Sequence, residues 1–193
     1  MLGFFGPRTP CDNLEAHVVA LEYFKSIGMN GDTTKVVSPD AGGVYRAKRF
    51  RDGLKQNGID AGLAMIVKQR VKANEIERMD LVGDVRDSDV IIVDDMIDTA
   101  GTLTKAAAEL KNFGAKRIYA FATHGILSPP AVDRINNSVL EKVIICNTIA
   151  LQPEAQKSSK IVQLSVAHLL AEAIARIHLK RSVSALFEKQ QKD

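Results

Sequence analysis

The stretch that most constrains this chain is Val90–Thr102, VIIVDDMIDTAGT. Val90 to Val93 are four consecutive apolar residues with no polar alternation, so a strand here needs cover on both faces. Strands of that kind belong to parallel sheets sandwiched between helices. Two adjacent carboxylates, Asp94 and Asp95, follow at the end of the strand, and Asp98-Thr99-Ala100-Gly101-Thr102 then leads into a helix. Small residues at that point let backbone N–H groups turn inward around an anion, and the start of the helix adds partial positive charge. Thr99 and Thr102 add hydroxyl donors. A carboxylate pair aimed at a bound phosphate would repel it, so the pair suits a sugar diol or a bridging metal. Acids at a buried strand end are costly without a partner, which favours a ligand over a merely capped helix.

The rest of the chain repeats the same strand-then-helix grammar. Asp12 and Glu15 resemble a capping box opening a first helix, with Leu14, Val18, Leu21 and Phe24 as its stripe and Gly28 as its stop. Lys35–Val37 reads as a strand running into Ser38–Gly43. Val44, Ala47, Phe50, Arg51 and Leu54 then recur at helical spacing up to Gly58. Ala61–Val67 is a second strand, Lys68–Asp80 a long polar loop, and Leu81–Val85 a short strand. Leu103, Ala106, Ala107 and Leu110 make the helix after the opening loop. Strands follow at 117–123, 143–147 and 160–164. Val166, Leu169, Leu170, Ala173, Ile174 and Ile177 line a last helix. The pattern predicts an α/β fold with a mostly parallel sheet and helices on both faces. One domain over residues 12–180 is expected, with an N-terminal arm (1–11) and a C-terminal tail (181–193).

Composition narrows the function classes. The net charge of +3 over 193 residues is too small to argue for nucleic acid. Between Arg46 and Lys72, eight Lys/Arg face two acids, an excess of six that suits an anionic ligand or a solvated helix face. Cys11 and Cys146 have no metal-ligand spacing and read as reduced thiols. No apolar run approaches the roughly 20 residues of a membrane helix, and the first ten residues lack a signal-peptide layout. The expectation is a cytoplasmic protein with no membrane partner.

The opening motif matches the phosphoribosyl pyrophosphate signature, which alone names two groups: type I phosphoribosyltransferases and phosphoribosyl pyrophosphate synthetases. Further stretches stand in the order and spacing of the synthetases. They are Ser38–Gly43, Lys68-Gln69-Arg70 with Asn74, Leu81–Val85, Thr123-His124-Gly125, Arg134–Ser138 and Asn147-Thr148-Ile149. The chain resembles the ribose-phosphate pyrophosphokinase family from about Gly3 to Phe187, over the second half of a full synthetase only.

The resemblance implies a type I phosphoribosyltransferase-like fold and pyrophosphoryl transfer from ATP to ribose 5-phosphate, giving phosphoribosyl pyrophosphate and AMP for nucleotide biosynthesis. It implies Mg²⁺ as cofactor, ATP as co-substrate and a homo-oligomer. Lys68 and Arg70 would be catalytic, on a loop that closes over the phosphates. Asp98, Thr99, Ala100, Gly101 and Thr102 would hold the 5-phosphate, and Asp94 and Asp95 the ribose hydroxyls. Ser38, Asp40, Gly42 and Gly43 would face the pyrophosphate, with Asp40 beside Mg²⁺. Ser182 and Ser184 resemble a regulatory phosphate contact. His124 is open between a nucleotide contact and a structural hydrogen bond.

In the family, the first half supplies most contacts to the ATP purine, so this chain is expected to bind ribose phosphate yet have low activity alone. Part of the 166–177 stripe is expected to stand exposed or to pair with another chain. The alternatives are a non-catalytic or regulatory synthetase-like subunit, a phosphoribosyltransferase, which would need a base-shaped hood segment, and a plain nucleotide-binding domain.

Overall fold

The computed structural model describes residues 4, 6, 8–69 and 78–187. Seven strands form one sheet: β1 (Thr34–Ser38), β2 (Gly62–Gln69), β3 (Arg78–Val82), β4 (Asp89–Ile97), β5 (Arg117–Gly125), β6 (Lys142–Cys146) and β7 (Ile161–Leu164). Their order is β3-β2-β1-β4-β5-β6-β7. Every neighbouring pair is parallel except β2–β3, so the expected mostly parallel α/β sheet is present with one antiparallel edge strand. Six helices accompany it: α1 (His17–Ser26), α2 (Val44–Gln56), α3 (Gly101–Asn112), α4 (Ala131–Asn136), α5 (Pro153–Lys157) and α6 (Ala167–His178).

The unalternating run of β4 is buried on both faces because each face meets its own core. Val90 and Ile92 join Leu103, Ala106, Ala107 and Leu110 of α3 with Ala131 and Ile135 of α4. Ile91 and Val93 join Ala20, Leu21 and Phe24 of α1 with Ala47, Phe50 and Leu54 of α2. On the second face Phe24 meets Phe50 edge-on at 5.8 Å, a favourable aromatic geometry. Helix stops fall where glycine permits a left-handed turn. Gly28, Gly58 and Gly114 follow α1, α2 and α3 at φ of 75°, 87° and 93°.

Three expectations are corrected. The Asp12/Glu15 capping box does not form. α1 begins behind Ala16 without a side-chain cap, and Glu15 instead pairs with Arg49 at 3.0 Å and His17 at 3.1 Å. The expected Lys68–Asp80 loop is cut at both ends, because β2 runs on to Gln69 and β3 starts at Arg78, in antiparallel register with it; residues 70–77 lie outside the described residues. The expected 81–85 strand ends at Val82, since Gly83 turns at φ 109° and sends Val85 into the core. Helices α4 and α5 were not anticipated. Both are short and open on or beside proline.

α6 buries only Leu169 and Ala173, while Leu170, Ile174 and Ile177 are exposed. Among the described residues no helix is long and apolar enough to cross a membrane. Cys11 and Cys146 are both free thiols. Both acids of the basic stretch are held in local pairs, Arg51 with Asp52 and Lys55 with Asp60, as on a solvated helix face, while Arg46 and Arg49 pair with acids outside it.

Candidate functional site

β1, β2 and β4 are mutually parallel, so their carboxyl ends lie on one edge of the sheet, where ligands of such folds bind. A groove of about 370 Å³ opens there, lined by Asp40 and by the continuous run Asp94–Leu103. The five residues expected to hold a phosphate are therefore together with the carboxylate pair and the expected metal-side acid.

The turn at the mouth of α3 is built from backbone. Ala100 sits in the left-handed region at φ 58°, ψ 7°, and no side chain caps the helix behind it. The first-turn N–H groups of a helix have no partner within the helix, so without a side-chain cap they remain for an incoming anion. The Ala100 carbonyl accepts from the Thr104 amide and from its hydroxyl, both at 3.0 Å. From outside, Arg134 of α4 donates from Nη1 to the Thr99 carbonyl at 3.0 Å. Gly101 leaves space for that guanidinium, which would lie 3.2 Å from an added Cβ. Arg134 stood in a recognised stretch, but sequence reading gave it no part in the site.

The carboxylate pair lies in the last turns of β4 rather than beyond it: Asp94 pairs with Ala122 across the sheet. Arg46 of α2 bridges both acids, Nη1 to Asp94 Oδ1 at 3.0 Å and Nη2 to Asp95 Oδ2 at 2.9 Å. The Asp95 amide donates to Asp94 Oδ1, and the Met96 amide to Asp95 Oδ1, each at 2.9 Å. Burial pushes the Asp94 carboxyl up to about 6 against the pull of these donors and Arg46. Asp95 feels burial too, but the Asp94 carboxyl and Arg46 hold it below the usual carboxylate range. Sequence reading counted Arg46 only among the basic excess.

The 38–43 loop is a tight turn. Ser38 is buried and donates its hydroxyl to the Asp40 carbonyl at 2.6 Å, and the Gly43 amide donates to Asp40 Oδ1 at 2.9 Å. A Cβ on Gly43 would fall 2.7 Å from Ser38 Oγ, which holds the turn, and 3.3 Å from the Arg46 guanidinium, so glycine leaves room for both. Only Asp40 of this loop lines the groove beside 98–102. Gly42 lines a neighbouring cleft of about 410 Å³ with Tyr45, Arg46, Phe121 and His124, and Asp94 and Asp95 form the wall between the two.

Lys68 lies near the end of β2, paired in register with Met79, while Arg70 and Asn74 lie outside the described residues. His124 Nδ1 is 2.9 Å from Thr148 Oγ1, whose hydroxyl donates to the Thr123 carbonyl at 3.0 Å. A hydroxyl has one hydrogen, so Nδ1 donates to Thr148, and His124 also lines the neighbouring cleft. Ser182 and Ser184 hydrogen-bond each other at 2.8 Å. Ser184, but not Ser182, lines a separate pocket with His17, Arg49, Asp52 and Phe187.

No group of three or more His, Cys, Asp or Glu among the described residues could hold a metal by itself. Mg²⁺ delivered with phosphates needs less: one or two carboxylates, the rest water and phosphate oxygens. Asp40 beside the anion turn is a donor set of that kind.

Residues 46–188 match the family model described as phosphoribosyl synthetase-associated domain. Ribose-phosphate pyrophosphokinase 1 of Lactococcus lactis is 49% identical over 187 residues, 96% of this chain and 55% of that protein. Ribose-phosphate pyrophosphokinase 2 of Schizosaccharomyces pombe is 50% identical over 186 residues, 96% of this chain and 56% of its own length. The crystal structure of phosphoribosylpyrophosphate synthetase from Mycobacterium smegmatis superposes with a TM-score of 0.79 at 34% identity, covering 92% of this chain and 55% of that one. The chain thus spans about half the length of the curated relatives it matches. It belongs to the phosphoribosyl synthetase-associated domain family, as a homologue of the C-terminal half of the ribose-phosphate pyrophosphokinases.

Proposed function

We propose that this chain binds ribose 5-phosphate and forms the acceptor side of a site that transfers pyrophosphate from ATP to the anomeric hydroxyl, releasing AMP. The observation that carries the reading is the single groove in which uncapped α3 amides stand beside two carboxylates. The amides of 98–102 take the 5-phosphate, and Asp94 and Asp95 accept hydrogen bonds from the ribose hydroxyls. That fixes the sugar at both ends and leaves its anomeric carbon to be presented to the donor. Holding the acceptor in one orientation removes much of the entropic barrier to transfer.

The anomeric oxygen attacks the β-phosphorus of ATP as the bond from that phosphorus to the α-phosphate oxygen breaks. Little covalent help is needed, because charge must be met on the phosphate oxygens. Lys68 and Arg70 are the proposed cations, and the Ser38–Gly43 turn faces the transferred group. Asp40 would hold Mg²⁺, which neutralises phosphate charge when bound. Ser182 and Ser184 are the proposed regulatory phosphate contact. Assembly into a homo-oligomer, a cytoplasmic location and a place in nucleotide biosynthesis belong to the same proposal.

Calorimetry of the purified chain with ribose 5-phosphate is the direct test, with an assay of AMP release from ATP alongside it. Because the relatives are nearly twice as long, measurable sugar-phosphate binding with slow turnover is expected. Failure to bind ribose 5-phosphate would refute the acceptor reading. Fast turnover by the chain alone would refute the expectation of low activity. An orotate or purine-base assay with phosphoribosyl pyrophosphate separates the transferase alternative.

A further inference from the structure

Consecutive residues of a strand point to opposite faces of the sheet. Asp94 and Asp95 are consecutive residues of β4, and pleating alone would splay their carboxylates apart. Both nevertheless meet one guanidinium, at 3.0 and 2.9 Å. Arg46 reaches them from the first turn of α2, 48 residues away in sequence, through space that Gly43 leaves open. The planar fork uses a different nitrogen for each acid. Two like charges on neighbouring residues also repel, and one shared cation is what lets them converge.

We propose that Arg46 is a positioning residue for sugar recognition: by drawing Asp94 and Asp95 to one side of β4, it creates the vicinal carboxylate pair that reads a cis-diol. The inference rests on the ribose-phosphate reading of the groove and goes beyond it by assigning the choice between ribose and deoxyribose to a residue of α2. A methionine at this position keeps an unbranched stem but has no cation to hold either carboxylate.

The test is calorimetry of the full chain with ribose 5-phosphate, 2-deoxyribose 5-phosphate and inorganic phosphate. The wild-type chain is expected to prefer ribose 5-phosphate by about tenfold or more, the worth of one charge-assisted hydrogen bond. In Arg46→Met the preference should shrink below about threefold, with inorganic phosphate affinity held within about twofold, because the α3 amides are untouched. Arg46→Leu should resemble Arg46→Met, and it carries the same test if the methionine variant does not fold. A preference that survives in either folded variant overturns the proposal, as does a uniform loss for all three ligands. A wild-type chain that binds phosphate but does not distinguish the sugars refutes the diol reading of Asp94 and Asp95 itself. Binding of none of the three refutes the groove.

Discussion

The groove has two halves made by opposite means. The anion turn at 98–102 is backbone: a left-handed Ala100, the uncapped amides of α3 and one outside prop, Arg134 on the Thr99 carbonyl. The carboxylate pair a few residues upstream is made of side chains, and its shape depends on Arg46 from another layer of the fold. A backbone site follows from local sequence, since small residues before a helix are enough to produce it. A side-chain site depends on whichever residues the topology delivers. The first should tolerate changes in the second, and the sugar and phosphate contributions to binding should separate.

The sharpest way to break this comparison is to neutralise the pair. In Asp94→Asn/Asp95→Asn, ribose 5-phosphate affinity should fall by about 100-fold, as expected from losing charge-assisted bonds to two sugar hydroxyls. Inorganic phosphate should bind as well as before or better, because two negative charges beside the turn are gone. Calorimetry with both ligands decides it, and a parallel collapse for phosphate would mean that the halves are one unit.

The converse change strains the turn. A β-branched residue is disfavoured at positive φ, by roughly 1–2 kcal/mol. Ala100→Val should therefore weaken inorganic phosphate and both sugar phosphates together, by about tenfold each. The preference for ribose over deoxyribose should survive. Loss of that preference would show that the turn helps to aim the carboxylates.

These two halves also differ in how far sequence revealed them. The small-residue turn into α3 was legible because its parts are contiguous, and the double-sided burial of β4 was legible because four apolar residues in a row leave no face for water. Arg46 was hidden. Its ion pair spans 48 residues, and a helix charge on its own looks like any other solvated one. The Asp12/Glu15 reading failed for the same reason in reverse: a local cap was outbid by Glu15's distant partner, Arg49. Arg134 stood in a recognised stretch, but its donation to Thr99 depends on where α4 packs against α3.

Asp94 allows a pH test of the side-chain half. Its carboxyl is raised to about 6 in the folded chain, chiefly by burial, so the folded state holds a proton that the unfolded state has already released. The contribution of Asp94 to stability therefore falls as pH rises from about 4 to 6 and stays lower above that. The full shift corresponds to about 3 kcal/mol, and partial exposure of the side chain reduces the expectation to about 1 kcal/mol. Asp94→Asn should be more stable than wild type by about that much at pH 7.5, with the gap closing by about pH 4. Thermal melts at the two pH values measure it. A gap independent of pH would assign the effect to packing.

The smallest expected effect probes the prop behind the turn. An added Cβ at Gly101 meets the end of a flexible side chain, the Arg134 guanidinium at 3.2 Å, so Gly101→Ala should displace Arg134 rather than the helix. The loss is then one hydrogen bond to the Thr99 carbonyl, about 0.5–1 kcal/mol, or a two- to fivefold weaker phosphate site. Arg134→Met should cost the same, and the double variant no more than either single one, because both remove the same contact. Additive losses would mean that Gly101 serves the turn through its own backbone and that Arg134 acts on the phosphate by charge alone. The prop would then be a second side-chain element, and the backbone half less self-contained than its geometry implies.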